Sequence, residues 1–456
     1  MQVDETIFKA YDIRGIYPSQ INADIYHAIG MALGNILNAK SGVVGRDMRL
    51  SSSELASAFI DGLRSSGTNV TDIGLVSTDA LYFAVGKYGF DCGAIITASH
   101  NPSNYNGLKM CKKEAVPLSA DVEMAKIKHL LKTDNLRTVD KKGSLSNRDI
   151  LKDFINHVLS FIDVSVIKPF KIVVDAGNGM AGKIIPELFK NLPCQLVPMY
   201  FELDGSFPNH PASPIEPENI ADLRKRVIEE KADFGVAFDG DADRMFLVDE
   251  NAKPLGGDMI TALVSQSMLK KHPGSTIIYN LICSKAVPEV IKANGGKPIR
   301  TKVGHAIIKP IMKKHKAIFG GEHSGHFYFR DNWYADSGLI AFTVCLELLS
   351  KSPIDINGKA KLSKLVATFD KYYRSGEINS TVSDIPGKLK ELTEAFPKAK
   401  IDSLDGITID AGSFWFNVRP SNTEPLLRLN LEAESEQIMR KNTDKVLTII
   451  RKQGKR

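Results

Sequence analysis

The residues of this chain that could do chemistry fall in a few short stretches. Thr97-Ala98-Ser99-His100-Asn101-Pro102 sets a hydroxyl beside an imidazole at the end of an apolar run, with Lys109 a little further on. A serine at a strand end with a base nearby suits nucleophilic catalysis, and the same pattern also makes a plain polar turn. Asp239-Gly240-Asp241-Ala242-Asp243-Arg244 follows the apolar run 234–238. Carboxylates at alternate positions, with a glycine between them, can converge on one hard cation through oxygen ligands. Apolar residues 245–248 follow at once, so the stretch reads as a turn between buried strands and not as a solvated acidic tail. It is a poor EF-hand, because Arg244 stands where that loop needs glycine; Mg²⁺ is favoured over Ca²⁺ if a phosphate adds an oxygen.

Gly320-Gly321-Glu322-His323-Ser324-Gly325-His326 gathers a carboxylate, a hydroxyl and two imidazoles, the mix of donors and acceptors that sugar hydroxyls need. A structural glycine turn reads the same way, and two histidines without an evident third ligand do not define a zinc site. Arg419-Pro420-Ser421-Asn422-Thr423-Glu424-Pro425, with Arg428 beyond it, offers a guanidinium, hydroxyls, an amide and backbone N–H groups in one turn. Such a turn is an anion cradle whose natural guest is phosphate, or simply a proline-bounded surface loop. Two lesser clusters, Tyr11-Asp12-Ile13-Arg14-Gly15 and Thr301-Lys302-Val303-Gly304-His305, put further cations into turns.

Elements must hold these stretches in place. Short apolar runs at 41–45, 94–97, 171–175, 234–238 and 276–279 read as strands, and 52–65, 220–230 and 258–271 read as helices. Alternation of this kind predicts α/β layers with mixed or parallel sheets. Three of the strands end in polar turns at Asp47, Asp175 and Asn280, each followed by a helical stretch, which suggests a repeat on the scale of a domain. Polar stretches at 141–147, 251–257 and 350–357, and strand-like runs at 413–418 and 426–431, predict domains over 1–150, 151–252, 253–366 and 367–456.

Composition removes several classes. The 456 residues are 43% hydrophobic and 25% charged, which excludes wholesale disorder. A net charge of +6 is spread thinly, with no basic stripe interleaved with aromatics, so no nucleic-acid partner is expected. The densest basic runs, 313–316 and 451–456, read as a solvated helix face and a chain end. Cys92, Cys111, Cys194, Cys283 and Cys345 lie far apart with no CxxC pair, which argues for a reducing compartment. There is no secretory h-region and no run of about 18 apolar residues, so a cytoplasmic protein without a membrane partner is expected.

In this order, from Tyr11 to Arg428, the motifs resemble those of the α-D-phosphohexomutase superfamily, most closely its bacterial and archaeal phosphomannomutase/phosphoglucomutase group. The resemblance implies three related α/β domains with mixed sheets and a smaller α+β C-terminal domain around a central cleft. It implies that Ser99 is a phosphoserine and that Asp239, Asp241, Asp243 and Ser99 hold Mg²⁺, with Arg244 beside them. Glu322 and Ser324 would grip the sugar 3- and 4-hydroxyls, and Arg419, Ser421, Asn422 and Thr423 the phosphate that is not reacting. Arg14, His100, Lys109, His305 and His326 would line the cleft, Lys109 and His326 being the leading candidates for proton transfer. The implied reaction interconverts hexose 1-phosphate and hexose 6-phosphate, of mannose and also glucose, with a hexose 1,6-bisphosphate as activator. Phosphoglucosamine mutases are the main rival; they usually carry Asp where this chain has His305 and Gln where it has His323. A non-catalytic sugar-phosphate-binding protein and a hydrolytic phosphatase are the rivals of other classes. Oligomeric state is not legible in the sequence.

Overall fold

The computed structural model describes residues 3–9, 12–355, 358–421 and 426–452. Its strands form four sheets, and the first three share one pattern. In the first sheet, Ser41–Arg46 lies between parallel neighbours Asn69–Leu75 and Cys92–Ile96, and the latter pairs antiparallel with Tyr105–Lys112. In the second, Lys171–Asp175 lies between Gln195–Met199 and Phe234–Phe238, and Met245–Asp249 returns antiparallel. In the third, Thr276–Asn280 lies between Lys297–Thr301 and Phe319–Gly321, and Phe327–Phe329 returns antiparallel. The strands ending near Asp47, Asp175 and Asn280 are therefore one strand in three copies. The loops carrying Ser99, the three aspartates and Glu322 are likewise one turn in three copies, each before the returning strand.

The strands read correctly because they are apolar on both faces, as strands covered by helices on either side must be. All of Phe234–Phe238 and Met245–Asp249 is buried. The helix Gly338–Ser350 is buried along its whole length. One apolar cluster runs from Val43 and Phe83 through Ile172 and Phe238 to Phe319, Phe342 and Phe369, so the first three domains share a core. The last domain is an antiparallel sheet in the order Tyr373–Thr381, Leu426–Ala433, Phe414–Pro420, Ile407–Asp410 and Lys400–Asp402. The helices Ile385–Ala395 and Glu436–Arg451 complete its separate core, built on Leu392, Phe416, Leu429 and Val446. Polar pairs tie it to the third domain: Lys285 Nζ to Asp410 at 3.0 Å and Arg300 Nη1 to Asp402 at 2.6 Å.

Two elements differ from the sequence reading. The polar stretch at 141–147 contains an edge strand, Leu145–Asn147, parallel to Asn69–Leu75. Its side chains are all exposed, so no apolar alternation marks it. Pro254–Leu255 pairs with Met245–Asp249 and carries the second sheet past the expected junction at 252. The cysteines are free, and among the described residues no helix is long and apolar enough to cross a membrane.

Candidate functional site

Ser99 is fully buried and takes a left-handed backbone, φ 51°. Such a backbone persists where the surrounding structure over-determines it. Its N–H donates to Thr97 Oγ1 at 2.9 Å, and its carbonyl accepts from Arg49 Nη2 at 2.9 Å. Its Oγ donates to Asp239 Oδ2 at 2.6 Å, joining the first-domain turn to the second-domain turn. A Cβ on Gly240 would stand 2.6 Å from the Ser99 carbonyl, so glycine lets the two turns touch.

Asp239, Asp241 and Asp243 are buried, and each offers an oxygen within 4.8 Å of the others. Lys109 Nζ lies 2.7 Å from Asp241 Oδ2 and 2.5 Å from Asp243 Oδ2. Thr78 Oγ1 also donates to Asp241, at 2.6 Å. Burial raises the carboxyl of Asp239, and the charges of Asp241 and Asp243 raise it further. Burial pushes Asp241 the same way, but Lys109 outweighs it and holds that carboxyl below its ordinary value. Burial pulls the Lys109 ammonium down, and the two aspartates more than reverse this, so it stays charged. Arg244 Nε faces Asp239 Oδ2 at 3.6 Å. Arg14 Nε donates to Asp12 at 2.9 Å, and its Nη1 reaches the Ala98 carbonyl and the Asn101 side chain. His100 Nδ1 lies 3.4 Å from Ser99 Oγ; the Arg244 charge, burial and Arg14 drive its basicity well below normal, which leaves the ring neutral.

The third-domain turn meets this cluster. His326 Nδ1 is 3.0 Å from Asp336 Oδ2 and 3.9 Å from Asp243 Oδ1. Lys309 Nζ pairs with the other Asp336 oxygen at 3.0 Å and sits over the Tyr82 ring. Glu322 is buried among protein donors: Tyr328 Oη reaches it at 2.6 Å, Gly304 N at 2.9 Å and Asn280 Nδ2 at 3.4 Å. Ser324 and His323 are the partly exposed members of the turn. The backbone of His305 opens the helix His305–His315; its side chain lies outside the described residues. In the fourth domain, Arg419 Nη2 donates to Glu377 at 2.8 Å and Arg428 Nη1 to the same carboxylate at 3.1 Å. Arg419 Nη1 is buried without a hydrogen-bond partner. Ser421 N donates to the Leu426 carbonyl at 2.8 Å, while Asn422 and Thr423 lie outside the described residues.

Four family models match along the chain. Phosphoglucomutase/phosphomannomutase alpha/beta/alpha domains I, II and III match residues 5–138, 152–256 and 256–372, and the C-terminal domain of the same family matches 377–449. The chain belongs to the phosphoglucomutase/phosphomannomutase family. A phosphomannomutase of Vibrio cholerae is 39% identical over 98% of both chains, and one of Methanocaldococcus jannaschii is 39% identical over the same shares. A phosphoglucomutase/phosphomannomutase family protein of Burkholderia thailandensis superposes with a TM-score of 0.90 at 31% identity, covering 100% of this chain and 99% of that one.

The donor set of this phosphoglucomutase/phosphomannomutase chain fits a hard divalent cation. Asp241 Oδ1 and Asp243 Oδ1 are buried without hydrogen-bond partners, and the atoms that Asp239, Asp241 and Asp243 bring together are all carboxylate oxygens. Several residues of the site were invisible in the sequence: Arg49, Thr78, Asp336 and Glu377. Thr78 opens the helix Thr78–Tyr88 far from the acidic turn in sequence and meets it only in the fold. Asp47 marked a strand end, which gave the position of the Arg49 turn without its partner.

Proposed function

We propose that this mutase interconverts hexose 1-phosphate and hexose 6-phosphate, of mannose and glucose, through a phosphoserine at Ser99 and a bisphosphorylated sugar. The observation that carries this reading is the buried Ser99 Oγ hydrogen-bonded to an aspartate of the acidic turn from another domain. Asp239, Asp241 and Asp243, with the phosphoserine oxygen, would hold Mg²⁺. When bound, the cation would act as a Lewis acid on the phosphoryl group. A phosphoserine carries about −1.5 to −2 charge at neutral pH, and Arg14, Lys109 and Arg244 are the cations set to face it.

The two candidates for proton transfer separate by geometry. Lys109, pinned between two carboxylates, serves as fixed positive charge and not as a base near neutral pH. Asp336 on His326 Nδ1 favours the tautomer with the proton on Nδ1 and the lone pair on Nε2, as a base for a sugar hydroxyl requires. Phospho-Ser99 then donates to that hydroxyl, the bisphosphorylated sugar turns over in the cleft, and Ser99 takes back the other phosphate. The turn at Arg419 and Ser421 would hold whichever phosphate is not reacting, so it should read phosphate and not sugar identity. Ser324 is the partly exposed candidate for the sugar hydroxyls; Glu322 would share a carboxylate already bonded to Tyr328 and Gly304.

The test is a coupled assay offering mannose 1-phosphate, glucose 1-phosphate and glucosamine 1-phosphate in parallel, with Mg²⁺ and glucose 1,6-bisphosphate. Comparable turnover of the first two is expected. Turnover of glucosamine 1-phosphate only would make this a phosphoglucosamine mutase. Release of inorganic phosphate without the bisphosphate would make it a hydrolase, and tight binding without turnover a binding protein.

A further inference from the structure

Arg49 sits at the start of the turn after the first-domain repeat strand, with its side chain fully buried. Its guanidinium spreads over the backbone of the Ser99 loop. Nη2 donates to the carbonyls of Ser99 at 2.9 Å and Asn101 at 2.6 Å; Nη1 donates to those of Pro102 at 2.7 Å and Tyr105 at 2.9 Å. Nε faces Asp47 Oδ2 at 3.3 Å, and Asp47 is itself fixed by Ser52 Oγ at 2.6 Å. Phe207 of the second domain covers the outer face of the guanidinium at 5.0 Å, and a Cβ on Gly205 would stand 2.5 Å from Arg49 Cα. One planar fork thus sets the spacing of the carbonyls around a serine held at φ 51°.

We propose that Arg49 is the positioning residue of the nucleophile: it holds the left-handed Ser99 turn so that Oγ points into the acidic cluster. The proposal rests on the phosphoserine reading of Ser99. The pair with Asp47 is a poor source of stability. Burial lifts the Asp47 carboxyl and lowers the Arg49 guanidinium, so desolvation exceeds their mutual attraction. What the pair supplies is geometry at the reacting oxygen. In the second copy of the repeat a backbone group does this: Met180 N donates to the Gly240 carbonyl at 2.9 Å. In the third, Asn280 Nδ2 reaches the Glu322 carboxylate at 3.4 Å and no loop carbonyl. Among the described residues, the turn carrying the serine is the one of the three whose carbonyls accept from a guanidinium.

The experiment compares wild type with Arg49→Lys and Asp47→Asn. Lysine keeps the charge but cannot bridge four carbonyls. Arg49→Lys should lower kcat by about 100-fold while KM, and sugar-phosphate affinity by calorimetry, stay within about threefold, as a displaced reacting group predicts. Phosphoserine formation from glucose 1,6-bisphosphate, followed by intact mass, should slow in step with kcat. Asp47→Asn should show the same split with a smaller loss of about tenfold; it decides the matter if the lysine variant does not fold. Either folded variant keeping kcat within about twofold of wild type, or losing only KM, would overturn the assignment of Arg49. A wild-type protein that never acquires phosphoserine would instead overturn the reading of Ser99.

Discussion

The first three domains and the fourth solve the problem of holding charge in opposite ways. The block of three buries its charges in one shared interior: Lys109 between two aspartates, Arg49 against Asp47, Lys309 against Asp336. The fourth has its own small core and sets the buried Arg419 and the half-buried Arg428 on the carboxylate of an exposed residue, Glu377. Charges fixed in low dielectric suit a reacting phosphoryl group, because they need no reorganisation at the moment of transfer. Charges near the surface suit a phosphate that must be gripped and released. Under the proposed function, the contrast would divide the molecule into a part that transforms and a part that recognises.

The sharpest way to break that division is Ser99→Ala. It should abolish turnover and leave sugar-phosphate affinity, by calorimetry, within about tenfold, since the carrier is lost and the cradle kept. Near-full activity would end the nucleophile assignment. Asp241→Asn comes next. It strips a ligand oxygen and one partner of Lys109, so the Mg²⁺ concentration for half-maximal activity should rise by at least about tenfold. An unchanged metal titration would remove Asp241 from the ligand set.

Glu377→Gln probes the recognising part. Losing a carboxylate from two arginines should tighten binding of a sugar phosphate by about threefold, with kcat little altered, as a partly exposed charge permits. Weaker binding would mean that Glu377 orients the guanidinium groups more than it competes for them.

The smallest effect should lie in the pH dependence of stability. Asp79 is buried where the first and third domains meet, accepting from Ser337 Oγ at 2.6 Å and from Ser77. Burial pushes its carboxyl from 3.8 up to about 7. The folded state therefore favours the protonated form, and this contribution is present below 3.8 and lost as pH rises towards about 7. Asp79→Asn should flatten the thermal-melting profile across that window; an identical slope would show that Asp79 does not titrate there.

What the sequence made legible was local. The turn of Asp239, Asp241 and Asp243 is contiguous, and its apolar flanks announce a buried loop. Ser99 could be seen because it ends an apolar run. The repeat could be suspected from Asp47, Asp175 and Asn280, although side-chain identity between copies is nearly absent; what recurs is strand order and direction. The partners of these residues were hidden for the complementary reason. Asp336, Glu377 and Arg49 sit in ordinary-looking stretches, and nothing in their spacing says which distant group they will touch. The edge strand Leu145–Asn147 was hidden because an exposed strand carries no hydrophobic alternation.

The clamp on the Ser99 loop has a consequence for the order of synthesis. Everything Arg49 holds lies within the first domain, from Asp47 to Tyr105. The aspartate that meets Ser99 Oγ comes 140 residues later, and the serine that meets Asp79 comes 258 residues later. A chain that folds domain by domain as it emerges therefore shapes its Ser99 turn first. The acidic turn arrives at a socket already cast, and the ability to transfer phosphate is gained only when the later domains close over it.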